Sequence, residues 1–278
     1  MTRAMTIREA LKADFGIDVL IRGGSGRIAD PFVIEPCSSR YATRTQLNLL
    51  RGLGRGRQEL WRLLESEAVP EVVSTIQKLR IETVAFTQDQ IVSEVRSLYF
   101  DVSHVDGTPD ASAPLIEWSD PRIAFCAPSQ IGWLHFDGTI DNSQGDAILD
   151  TSLLYSALGA KAAIYIYGAA DGRMEGASSS EIRERELQLV CNQVLAAHPD
   201  AKTPWPVHVA EPFVLQHFLI GEDMSIAGIA MLGSHCLKLR LTYSDDLKMR
   251  ELMLNTIAEL AKLISQKLQS SVSGQLRP

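Results

Sequence analysis

No stretch of this 278-residue chain holds the roughly 18 to 20 consecutive apolar residues that a membrane-spanning helix needs. The most apolar windows, Ala162 to Tyr167 and Ile226 to Leu232, are only strand-sized. An export signal is missing too, because Arg3, Arg8, Glu9, Lys12, Asp14 and Asp18 interrupt every apolar run between Met1 and Val19. These absences predict a soluble, cytoplasmic protein with no membrane partner, whose translation starts at Met1 or Met5.

Cysteine is scarce. Cys37, Cys126, Cys191 and Cys236 lie far apart with no CxxC pair, a spacing that suits neither a zinc knuckle nor a disulfide framework. Each sits among apolar neighbours, where a thiol serves as a small buried hydrophobe. No GxSxG elbow, SxxK or HExxH signature is present. An excess of basic residues is also lacking: the net charge is −7, which argues against a bulk nucleic-acid partner.

The remaining composition, 45% hydrophobic and 22% charged, is that of an ordinary folded protein. Its charge is uneven. Residues 1–100 carry 14 Lys and Arg against 12 Asp and Glu, whereas residues 101–278 carry 13 against 22. Any anion-binding role therefore points to the first hundred residues. The only boundary signal is the Asp-, Pro-, Ser- and Ala-rich stretch near residues 100–118, which divides the chain into 1–108, 109–270 and a flexible tail, 271–278.

Residues 1–108 read as a mainly helical region. Ile7 to Phe15 forms a short helix, a second runs from Thr43 or Thr45 to Ala68 before Pro70, and a third fits Glu71 to Leu79. Residues ~120–268 read as an α+β sandwich, an antiparallel sheet with packed helices. Strands are expected at Ile123 to Cys126, Ile131 to Phe136, Ala162 to Tyr167, Phe213 to Leu219, Ile226 to Leu232 and Cys236 to Tyr243. In the last of these, Leu237, Leu239 and Leu241 alternate with Lys238, Arg240 and Thr242, which marks one face for the core and one for water. Helices are expected at Ala147 to Leu158, closed by Gly159, from a Ser178 and Glu181 capping box to Ala197, and after Asp245 or Asp246.

Two constellations carry chemistry. Arg44, Arg51, Arg55 and Arg62 fall within one arc of the expected second helix and would form a strip for carboxylate or phosphate. Their alternative is a solvated helix face. Gly52, Gly54 and Gly56 inside that helix imply either a break or another element packed closely against it. Secondly, His104, Asp106, Gly107 and Thr108 are echoed by His135, Asp137, Gly138 and Thr139. If each His and Asp shares a strand face, the four could hold a divalent metal; otherwise Asp-Gly-Thr is ordinary turn chemistry. Gly168 to Ser180 follows a strand and precedes a helix, but Gly168, Gly172 and Gly176 are too widely spaced to cradle a phosphate. His208 and His217 read as structural.

The chain is therefore expected to be a non-catalytic binding or interaction module without a cofactor, its partner another protein or a second copy of itself. A metal-assisted hydrolase using His104, Asp106, His135 and Asp137, and an anion or nucleic-acid binder using the arginine strip, are the alternatives.

Overall fold

A computed structural model describes residues 5–69, 75–87, 90–110, 115–123, 125–143, 149–168 and 177–275, with side chains to residue 266 of the last helix. The chain divides into two compact units, residues 1–115 and 116–278.

The first unit opens with α1 (Ile7–Phe15), held by a capping box between Thr6 and Glu9 and stopped by Gly16 in the left-handed conformation. Short strands β1 (Ile21–Gly23), β2 (Phe32–Ile34) and β3 (Cys37–Ser38) lead into α2 (Ser39–Arg57). Three long strands follow, β4 (Glu59–Ala68), β5 (Ile76–Phe86) and β6 (Ile91–Asp101), and then β7 (Val105–Asp106). The five-stranded sheet has the order β1-β2-β6-β5-β4, in which only the β2 and β6 pair is parallel. Leu11, Ile34, Leu49, Leu50, Trp61, Leu79 and Phe100 form its core.

This unit is not mainly helical, and the protein as a whole is mostly β, 46% strand against 28% helix. The helix expected to reach Ala68 ends at Arg57, because Gln58 turns left-handed (φ 55°, ψ 45°) and its N–H closes onto the carbonyls of Arg55 and Gly54. Beyond it Glu59 to Ala68 contains good helix formers, yet eleven-residue β5 pairs along its length and outweighs local preference. The helix expected over Glu71 to Leu79 is likewise replaced: residues 71–74 lie outside the described set, and Ile76 onward is strand.

The second unit contains β8 (Ile116–Ser119), β9 (Cys126–Pro128), β10 (Gln130–Ile131), β11 (Leu134–Asp141), β12 (Asp150–Ala157) and β13 (Ala160–Gly168). Then come α3 (Ser179–Ala197), β14 (His208–Ala210), β15 (Phe213–Ile220), β16 (Asp223–Leu232), β17 (His235–Ser244) and α4 (Leu247–Gln275). Eight strands form one antiparallel sheet, β10-β11-β12-β13-β17-β16-β15-β14. Two meanders, β11 to β13 and β15 to β17, thus meet along β13 and β17. Leu237, Leu239 and Leu241 are buried as their alternation requires. On α4, the Thr256 hydroxyl accepts from the Trp133 amide at 3.2 Å, which ties the helix to the turn between β10 and β11. The backbone of α4 stays helical through Gln275, where a flexible tail was expected; only 276–278 of that tail lie outside the described residues.

The helix expected over Ala147 to Leu158 is strand β12. Gly159 does take the left-handed conformation (φ 68°), but in the two-residue turn to β13. A left-handed glycine serves a helix end and a hairpin equally well, so the residue alone does not choose.

The glycines of α2 are resolved in favour of close packing. A Cβ on Gly54 would stand 2.6 Å from the Trp61 ring and 3.1 Å from the Glu59 carbonyl oxygen, while one on Gly56 would meet Phe15 at an ordinary 3.7 Å. Gly54→Ala should lower the free energy of urea unfolding by about 1–2 kcal/mol, because Trp61 is buried and the backbone cannot yield. Gly56→Ala should be neutral or raise it by roughly 0.5 kcal/mol through helix propensity. Equal effects at the two positions would show that packing does not require the glycine.

Candidate functional site

The register of the large sheet builds the site row by row, since residues directly opposite in antiparallel strands share a face. One row is Val214, Ile229, Lys238, Tyr165 and Ser152. The next is Gln216, Ala227, Arg240, Ala163 and Leu154, and the third is Phe218, Ser225, Thr242, Lys161 and Ser156. Helix α3 lies over the β15 and β16 end of these rows, where Leu187, Val190 and Val194 pack with Val214, Phe218, Ala227 and Ile229. From β17 onward the rows turn polar and cationic. The capping box of Ser178 and Glu181 starts α3 as the sequence suggests, so that Glu186, Leu189, Val190 and Gln193 form one wall beside the exposed floor.

Two adjoining hollows result, of about 590 and 540 Å³, sharing Tyr165, Val190, Gln193 and Lys238. The first holds Lys161, Lys238 and Arg240 against one carboxylate, Asp137; the second holds Asp150 and Glu186 with Lys238. Arg240 is partly buried, and its guanidinium donates to the Ser225 hydroxyl at 3.3 Å. No carboxylate among the described residues pairs with it. Burial lowers its affinity for its proton, an effect that Tyr165 and Cys191 oppose. The Lys238 ammonium lies 4.5 Å from the centre of the Tyr165 ring and 5.9 Å from that of Tyr167. Its pKa is lowered by burial and then by Arg240. Tyr167 donates to the Glu186 carboxylate at 2.8 Å, and burial raises its pKa. Three cations beside three tyrosines, Tyr155, Tyr165 and Tyr167, without a histidine or cysteine among the described lining residues, suit anion binding. The sequence marks Lys238 and Arg240 as the water-facing half of an alternating strand; what it does not show is that β17 is central and that α3 covers only part of the face.

The arginines of the expected strip separate. Arg44, Arg51 and Arg55 belong to α2, but Arg62 lies on β4 and bonds Glu82 at 2.8 Å. Arg51 is partly buried, with its pKa lowered by burial and then by Arg55. The metal set is divided as well. His104 and Asp106 are exposed around β7 in the first unit, whereas His135 and Asp137 lie on β11 in the second. His135 is buried, and Asp137 is the extra residue of a bulge, so regular i, i+2 alternation fails there. Among the described residues no group of three or more His, Cys, Asp or Glu could hold a metal ion. Of the stretch Gly168 to Ser180, residues 169–176, with Gly172 and Gly176, lie outside the described set. The thiols of Cys37, Cys191 and Cys236 are pushed up by burial, the last to about 11, which leaves them poor nucleophiles. Among the described residues, no helix is long and apolar enough to cross a membrane.

A second polar cluster lies at the β14 edge. The His208 and His217 rings stack at 5.0 Å, Trp205 meets His217 edge-on at 4.9 Å, and Arg250 covers Trp205. His217 is buried, and its Nδ1 has no hydrogen-bond partner among the described residues. Burial, then the positive charges of His208 and Arg250, lower its pKa to about 4. An unfolded chain takes up this proton near pH 6.5 while the folded one refuses it, so stability is full above about pH 6.5 and falls between there and pH 4. Urea titrations should show about 3 kcal/mol lost over that window from this residue, and His217→Phe should flatten that part of the slope. An unchanged slope in the variant would move the cause elsewhere.

Compared with protein-family models, curated proteins and solved structures, the chain matches none at a significant level.

Proposed function

We propose that the protein is a non-catalytic binding module whose second unit holds an anionic ligand in the groove between α3 and the uncovered floor of β12, β13 and β17. The observation that carries this reading is Arg240, a partly buried guanidinium bonded to a hydroxyl and, among the described residues, to no carboxylate. Desolvating a cation is unfavourable unless an opposite charge compensates, and a ligand carboxylate or phosphate would supply it. Lys238 and Lys161 on the same floor add to the attraction. Tyr165 and Tyr167 contribute rigid surface at low entropic cost. A protein partner fits such a groove, because its edges carry Asp137, Asp150 and Glu186 as well, which discriminate among anions by position.

Calorimetric titration with polyglutamate should show binding that weakens as salt rises. Arg240→Gln should reduce affinity about tenfold or more, in line with loss of one charge-assisted bond. Exchange of both Arg51 and Arg55 for Glu should leave it unchanged. Binding that depends on Arg51 and Arg55 and ignores Arg240 would relocate the function to α2, and no binding by the native protein would remove the reading.

A further inference from the structure

The two hollows are one trough, and its length and the spacing of its charges specify what kind of anion it takes. The floor strand β13 lines the trough with residues from Lys161 to Gly168, a length that at the usual strand rise spans roughly 23 Å. A lone carboxylate or phosphate would fill a small part of it. Lys238 and Arg240 are two residues apart on β17 and point to the same face, so their attachment points are separated by about 6.6–6.8 Å. An extended polypeptide repeats its own same-side residues at that interval. Lys161 extends the cationic row beyond Arg240, through the Lys161 and Thr242 pair.

Charge argues against a polyphosphate occupant. Residues 116–278 carry 13 Lys and Arg against 19 Asp and Glu, so the three floor cations are a local feature of an acidic unit. A long uniform polyanion would also run past Asp150 and Glu186 at the far end of the trough, where a chain could place uncharged or basic residues.

On the reading above, that this groove binds an anion, we infer that its occupant is an extended segment of a partner protein with acidic residues at every second position, laid along β13 and β17. Its carboxylates meet Lys161, Arg240 and Lys238 in turn, and the residues between them face away from the floor. The wall residues Leu189 and Val190 of α3 flank the segment.

Three probes of equal charge test this on the full chain: a nine-residue peptide alternating Ser and Glu, a peptide of the same composition with the four Glu in one block, and a short oligothymidylate. Inorganic phosphate is the fourth titrant. The alternating peptide should bind at least tenfold more tightly than the block peptide. Lys161→Glu, at an exposed position, should weaken it about tenfold with an unchanged melting temperature, and Arg240→Gln about tenfold with a melting temperature that is unchanged or raised. Equal affinity for both peptides, tighter binding of oligothymidylate, or phosphate binding as tight as the alternating peptide would overturn the extended-segment inference. In those cases the anion site itself stands if Arg240→Gln still weakens the interaction; if none of the four titrants binds, both readings fall.

Discussion

The antiparallel seam between β13 and β17 is the constraint on which the second unit depends. Nine residue pairs, from Ala160 and Tyr243 to Gly168 and His235, join a meander on one side to a meander on the other. Without them each meander would expose a strand edge and half a core. The seam also decides where the site is. A single helix, α3, crosses from β13 to the β14 side and covers the strands it leads to, so the strands it leaves are roofed on that face only as far as its flank reaches.

This half-coverage accounts for the chemistry of the face. Under α3 the rows carry the close-packed apolar side chains Val214, Ile229, Ala227 and Phe218, with the uncharged Gln216 and Ser225 among them; one strand further, the same rows carry Lys238, Arg240 and Thr242. Long cationic side chains can lay their stems along a sheet and keep their ends at its surface, which explains why the transition falls at a strand that is central in pairing yet peripheral to the helix. Lys238 resting on Tyr165 is that arrangement made concrete. Arg240 departs from it, since its end is partly buried and donates to the Ser225 hydroxyl.

The first unit is governed by close approach. Leu11 of α1 sits against Gly52, and Trp61, the third residue of β4, sits against Gly54, so α2 is gripped on both sides at positions where a side chain would intrude. The glycines of α2 therefore mark close packing and not a break in the helix. Its outward sheet face is instead laced by ion pairs, Arg62 with Glu82, Arg80 with Glu65 and Lys78 with Glu67. Such exposed pairs contribute little singly, at most about 1 kcal/mol each, and chiefly fix the register of β4 on β5.

Much of the local structure was written in the sequence. The short helix Ile7–Phe15, the capping box at Ser178, and the alternation of Leu237, Leu239 and Leu241 with Lys238, Arg240 and Thr242 each depend on residues a few positions apart, and each appears where its pattern says. The segments Glu59 to Ala68 and Asp150 to Ala157 were not legible, because their composition is compatible with helix and their strand state comes from long partners distant in sequence. The site belongs to the same category. Lys161, Lys238 and Arg240 are 77 and 2 residues apart, and each reads alone as a solvated cation. Only the pairing of β13 with β17, together with the limited reach of α3, brings them onto one floor, and pairing register is a property of the folded sheet that no local pattern encodes.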